Sequence, residues 1–189
     1  MEYSLLGKNG LEFLFLSERH SRRKMIRYNL SKMGVHFVYP QIIKSEEINM
    51  DELQAAIKET AEKFAQCFQN KGNFDFSIQS LHDVNDFLEE VSDFVFEEQQ
   101  IYQYYTTVGS YIFEVARRNY GGTYYWLKEV KQPILVAGEP EFFVSIQAWE
   151  KAKMYIENGT EDDILFYIDG YREHIEKGKQ QRGYSVHLI

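Results

Sequence analysis

One stretch, from Val108 to Trp126, decides most of what this chain can fold into. Val108, Ile112 and Val115 recur at helical spacing, and Ile101, Tyr104 and Tyr105 extend the stripe upstream. That spacing predicts an amphipathic helix from about Glu98 to Asn119. Gly121-Gly122 stops it, because glycine adopts the positive φ that a sharp reversal needs. Thr123 to Leu127 then reads as an aromatic strand. Gly109, inside the helix, costs about 1 kcal/mol relative to alanine. A helix carries that cost most easily where another backbone comes close, so a close approach is expected there.

The other elements follow by pattern. Asn49 or Asp51 caps a helix whose stripe is Leu53, Ile57, Ala61, Phe64 and Phe68, and the run Asn70-Lys71-Gly72-Asn73 ends it. Ser77 precedes a second stripe, Ile78, Leu81, Val84, Leu88, Val91 and Val95, with acids on the other faces. Pro133 to Ala137 pairs with Thr123–Leu127 as an antiparallel ladder joined through Lys128–Gln132. Residues 142–157 read as one helix, broken at Asn158-Gly159. Thr160 then caps a last helix carrying Ile164, Tyr167, Ile168, Tyr171 and Ile175. Tyr184 to Ile189 reads as a short edge strand. Upstream, Met25, Ile26, Leu30 and Met33 suggest a helix ended by Gly34, and Val35–Tyr39 a strand ended by Pro40. The fold class expected is α+β, mostly helical, with a small antiparallel sheet packed against amphipathic helices.

Charge separates the two ends of the chain. Residues 1–50 hold 8 Lys and Arg against 5 Asp and Glu, and residues 51–189 hold 13 against 24. The expected organisation is a basic N-terminal helix/strand segment, 1–50, and an acidic α+β domain, 51–189. Nucleic-acid affinity comes largely from Lys and Arg displacing counterions, so an acidic body argues against it. The basic run Arg19 to Lys24 reads as a solvated helix face rather than an anion-binding patch. With 14 Tyr and 14 Phe there is ample apolar area for a core, and packing is the expected use of these rings. The single Cys67 forms no internal disulfide and reads as a small apolar residue of a helix. The N-terminus lacks a basic, apolar leader, and the longest apolar run, Phe13–Leu16, is too short to span a bilayer. A cytoplasmic protein with no membrane span is expected.

From about Asp75 to Lys177 the pattern resembles a bacterial domain family of unknown function. The matching residues are Gly109, Tyr111 and Glu114 in the helix, Gly121, Gly122 and Trp126 after it, and Asn158, Gly159 and Asp163 further on. The chain departs from the pattern at Phe113, where the family has a second small residue, and at Glu141-Phe142, where it has Pro-Phe. Both departures argue against close helix packing at those points. The resemblance implies relatives in toxin–immunity or similar interaction systems.

Recognisable chemistry is sparse. The five histidines, 20, 36, 82, 174 and 187, form no metal-ligand spacing, and His82 with Asp83 and Asp86 reads as a solvated acidic face. There is no Gly-x-Ser-x-Gly elbow, P-loop or dinucleotide fingerprint, so no catalytic residue, cofactor or metal is assigned. Glu114 and Arg118 are spaced for an ion pair along one helix. A candidate cleft comprises Tyr111, Glu114, Arg117, Tyr124 and Trp126. The preferred reading is a protein-interaction module, immunity-like, whose acidic surface binds a basic protein partner. The alternative is a small-ligand binding protein or enzyme using that aromatic-rimmed cleft.

Overall fold

The computed structural model describes residues 49–92 and 97–189, together with the backbone of two short strands near the N-terminus. The chain divides into two compact units, Met1–His36 and Phe37–Ile189. In the first, β1 (Phe13–Leu16) pairs antiparallel with β2 (Met25–Tyr28), Phe13 opposite Tyr28 and Leu16 opposite Met25. This corrects the helix expected through Met25 and Ile26. The four-residue apolar run Phe13–Leu16 offers Met25–Tyr28 a ladder partner, which satisfies backbone groups that a short basic helix would satisfy alone. The expected features at Arg19–Lys24, Leu30, Met33, Gly34 and Val35–Tyr39 lie outside the described residues.

The second unit is an α+β fold dominated by helices, in the order α1 (Met50–Cys67), α2 (Leu81–Ser92), α3 (Glu98–Tyr120), β3 (Thr123–Leu127), β4 (Gln132–Ala137), β5 (Phe143–Ile146), α4 (Ala148–Asn158), α5 (Ile164–Gln180) and β6 (Ser185–Leu188). Asn49 caps α1, its Oδ1 accepting from the Asp51 and Glu52 amides. Leu53, Ile57, Ala61 and Phe64 form the buried stripe. Phe64 is the hub of an aromatic cluster with Phe68, Phe74, Phe87 and Tyr111, ring centroids 4.8–5.3 Å away. Four tyrosines, 111, 124, 155 and 171, are among the largest fully buried side chains, so much of the aromatic content is core.

Gly109 lies where α3 meets the start of α4. A Cβ there would stand 2.7 Å from Trp149 Cα and 2.8 Å from the Ala148 carbonyl oxygen. The close approach expected from its cost is therefore present, and the two helices run antiparallel from that point.

The sheet order is β3-β4-β5-β6. β3–β4 and β4–β5 are antiparallel, but β5–β6 is parallel, so the sheet is mixed rather than purely antiparallel. The physical reason is the connection: α4 and α5 intervene, and a helical crossover returns the chain in its original direction. Tyr124, Leu135, Val144 and Ile146 point into the helical layer, while Tyr125 and Phe143 stay exposed on the other face.

Three local expectations are corrected. Residues 142–157 are not one helix: Phe143–Ile146 is strand β5, with Val144 and Ile146 buried and Phe143 outward. The helical spacing of Phe142, Ile146 and Trp149 hid a period-2 alternation that only pairing on both sides makes decisive. The second stripe does not start its helix directly after Ser77: α2 begins at Leu81, and Ser77 Oγ accepts from the Ser80 amide within the preceding turn. Nor does Thr160 cap α5. Gly159–Asp162 is a single 3₁₀ turn, and Asp163 is the cap, accepting from the Phe166 amide at 2.7 Å while Asn85 Nδ2 donates to its other oxygen. Phe142 also packs closely despite the expectation there, its ring filling the space a Cβ on Gly138 or Gly178 would need.

Candidate functional site

The candidate residues converge only in part. Glu114, on the inward face of α3, is fully buried. Its Oε1 accepts from Arg117 Nε at 2.6 Å and from Tyr124 OH at 3.0 Å. Its Oε2 accepts from Arg117 Nη2 at 3.0 Å and Arg118 Nε at 3.2 Å. A carboxylate offers about four lone-pair directions, and four donors occupy them. Burial pushes the carboxyl up, but the Arg117 hydrogen bonds and charge, joined by Tyr124 and Arg118, outweigh it and hold Glu114 below the ordinary glutamate value. Tyr124 moves the other way: burial, then the adjacent carboxylate, holds its hydroxyl well above its ordinary range. The result is an ionised carboxylate, a neutral phenol and two guanidiniums sharing one closed network.

Arg118 extends it to the surface. Its Nη2 donates to Glu62 Oε1 at 3.3 Å, and its guanidinium carbon lies 3.5 Å from the centre of the Phe76 ring.

Tyr111 belongs to a different environment, one turn earlier and facing the aromatic cluster. Its hydroxyl accepts from the Phe76 amide at 3.0 Å and shares a hydrogen bond with Ser80 Oγ at 2.7 Å. Phe76 has φ +63°, a conformation costly for a bulky side chain by about 1–3 kcal/mol. Its amide is held by Tyr111, its carbonyl by Asn119 Nδ2 at 3.0 Å, and its ring by Arg118 and Tyr111. Sequence patterning carried no sign of Phe76, because its conformation is imposed by partners 35 and 43 residues away. Tyr111→Phe is expected to lower stability by about 1–2 kcal/mol, since the Phe76 amide loses its acceptor. Urea unfolding checks the size, and faster hydrogen exchange at the Phe76 amide checks the cause.

Trp126 follows Tyr124 by two positions on β3 and is half-buried opposite Pro133. The five cleft candidates thus resolve into a saturated cluster of Glu114, Arg117 and Tyr124, a separate Tyr111 network, and Trp126 further along the strand. Two surface concavities, one between α3 and α4 and one beside Phe142 and Gly178, are lined by other residues.

A second polar group, also unforeseen, lies on the outer sheet face. Ser145 Oγ is 2.8 Å from His187 Nδ1, and Gln147 Nε2 is 2.9 Å from His187 Nε2. Partial burial of the ring lowers the imidazole pKa from its ordinary value. Both ring nitrogens are thus hydrogen-bonded, one to Ser145 and the other to Gln147. The group acts as a tie between β5 and β6. His82 is exposed, and Asp83 instead pins the loop before α2 by accepting from the Asn73 amide at 2.8 Å. Burial raises the Cys67 thiol, which disfavours a thiolate.

Among the described residues no group of three or more His, Cys, Asp or Glu side chains is placed to hold a metal ion. Among them, too, no helix is long and apolar enough to cross a membrane. In comparison with known proteins, no family model, no curated protein and no solved structure matches this chain.

Proposed function

We propose that this chain is a protein-interaction module, immunity-like, whose acidic surface binds a basic protein partner. The observation that carries the reading is where the acidic excess lies. Residues 51–189 hold 24 Asp and Glu against 13 Lys and Arg, and Glu114 is the one buried carboxylate among the described residues. The remaining described carboxylates are at least partly open to solvent, on α1, α2, the start of α3, α4, α5 and the loops. Such a surface speeds encounter with a basic partner and disfavours acidic ones. The resemblance to a bacterial domain family with relatives in toxin–immunity systems supports the same reading. A lone cysteine suits a cytoplasmic setting.

The small-ligand reading at Glu114 and Trp126 has less behind it. A ligand there would have to displace Arg117, Arg118 or Tyr124 from a buried carboxylate.

Tagged protein is expected to capture a stoichiometric partner from its native host at low salt and to release it at high salt, where charges are screened. Mass spectrometry of the washed complex identifies it. A partner held equally well in high salt, or an empty capture by folded protein, overturns the proposal.

A further inference from the structure

Beyond the Gly109 contact, α3 and α4 flank an open groove of about 740 Å³. Its lining includes Glu98, Ile101, Tyr102 and Tyr105 from the first two turns of α3, and Lys153 and Glu157 from α4. Tyr102 and Tyr105 meet edge-on, centroids 5.3 Å apart and planes at 74°. Both rings are only half-buried.

We infer that this groove receives an arginine side chain of the basic partner, its guanidinium against the Tyr102 and Tyr105 rings and hydrogen-bonded to the Glu98 and Glu157 carboxylates. The inference rests on the proposed acidic-surface function and gives it a location. Aromatic faces attract cations, most strongly those shed of water in a concave site. Elsewhere the fold supplies cations to its own rings: Arg118 covers Phe76, and Lys151 lies 5.4 Å from the Tyr167 ring centre. Among the described residues, no such cation covers Tyr102 or Tyr105.

The local charge is also unbalanced. Lys153 is the one basic residue in the lining, and it stands 3.9 Å from both Glu150 and Glu157, too far for good hydrogen bonds. Tyr105 feels the surplus: burial first, then Tyr102, Glu150, Glu157 and Glu98, push its hydroxyl upward. Arginine suits the site better than lysine, since a planar guanidinium stacks on a ring and forks to a carboxylate at once.

The test uses an acetylated, amidated peptide with three arginines separated by glycines, titrated by calorimetry into the full chain. A citrulline version keeps the shape and removes the charge, and a lysine version keeps the charge and removes the plane. The arginine peptide is expected to bind at least tenfold more tightly than the citrulline one, and more tightly than the lysine one. Tyr105→Leu, which leaves net charge unchanged, is expected to weaken it about tenfold. Glu157→Gln, an exposed change with little bearing on folding, is expected to weaken it as well. Native affinity in both variants overturns the groove while salt-sensitive capture of a partner leaves the acidic-surface function standing. Equal binding of the citrulline peptide also overturns the groove. An empty capture by folded native protein is the separate result that removes the function itself.

Discussion

Glu114→Ala is expected to destabilise the second unit by about 3 kcal/mol. Removing one member of a buried ion pair commonly costs about 3–5 kcal/mol, because the remaining charge loses its partner without regaining water. The lower end applies because Arg117 and Arg118 side chains are 28% and 33% exposed and can rehydrate. Tyr124 cannot, and its buried hydroxyl loses its acceptor. Glu114→Gln keeps the shape but turns a donor toward Arg117, so its cost should fall between alanine and native. Arg118→Ala, on the partly exposed side of the cluster, should cost less, about 1–2 kcal/mol, because the buried carboxylate keeps Arg117 and Tyr124 as donors. Urea midpoints at unchanged slope measure all three, and equal stability of Glu114→Ala and native protein would remove the cluster as a structural keystone.

The same residue sets an acid limit. Its folded-state pKa lies below the ordinary glutamate value of 4.5. Its contribution is therefore fully present above that ordinary value and is lost as pH falls through the depressed folded one. Native stability should drop in that acid window, and the drop should be smaller in Glu114→Gln. Parallel pH profiles for the two proteins would contradict this account.

Gly109→Ala is expected to destabilise by about 2–3 kcal/mol, against the sign of helix propensity. In an open helix the change adds about 1 kcal/mol of stability. Here the new methyl would stand 2.7 Å from Trp149 Cα and 2.8 Å from the Ala148 oxygen, both backbone atoms. Neither can rotate away, so α3 and α4 must separate, and forced overpacking typically costs about 1–3 kcal/mol, occasionally more. Separation would also pull Trp149 Nε1 from Ser110 Oγ, now 3.1 Å apart. Thermal and urea unfolding give the sign directly. A stabilised variant would mean that the helices can part freely.

Much of this architecture is legible in the residues themselves. The stripe Leu53, Ile57, Ala61 and Phe64 marks α1, Asn49 or Asp51 marks its start (the structure uses Asn49), and Gly121-Gly122 marks the turn into β3. Gly109 announces a close contact because a glycine in mid-helix has a cost that needs a cause. The Glu114 cluster is half legible: the spacing to Arg118 suggests an ion pair, yet Arg117 makes the shorter contact and Tyr124 completes it. Tyr111 shares the helix with Glu114 but faces another neighbour, which no spacing argument within one helix reveals.

What the sequence alone determines is local: helical stripes, caps, glycine stops and an acidic excess that must lie mostly outside, all consequences of periodicity and of the cost of burying charge. Pairing and partners were decided by the tertiary structure. β5 became a strand because β4 and β6 flank it, and β6 runs parallel because two helices intervene. Phe76 holds its positive φ because Tyr111 and Asn119 bind its peptide groups from far along the chain. Those interactions join residues distant in sequence, so their energies exist only once the chain has folded.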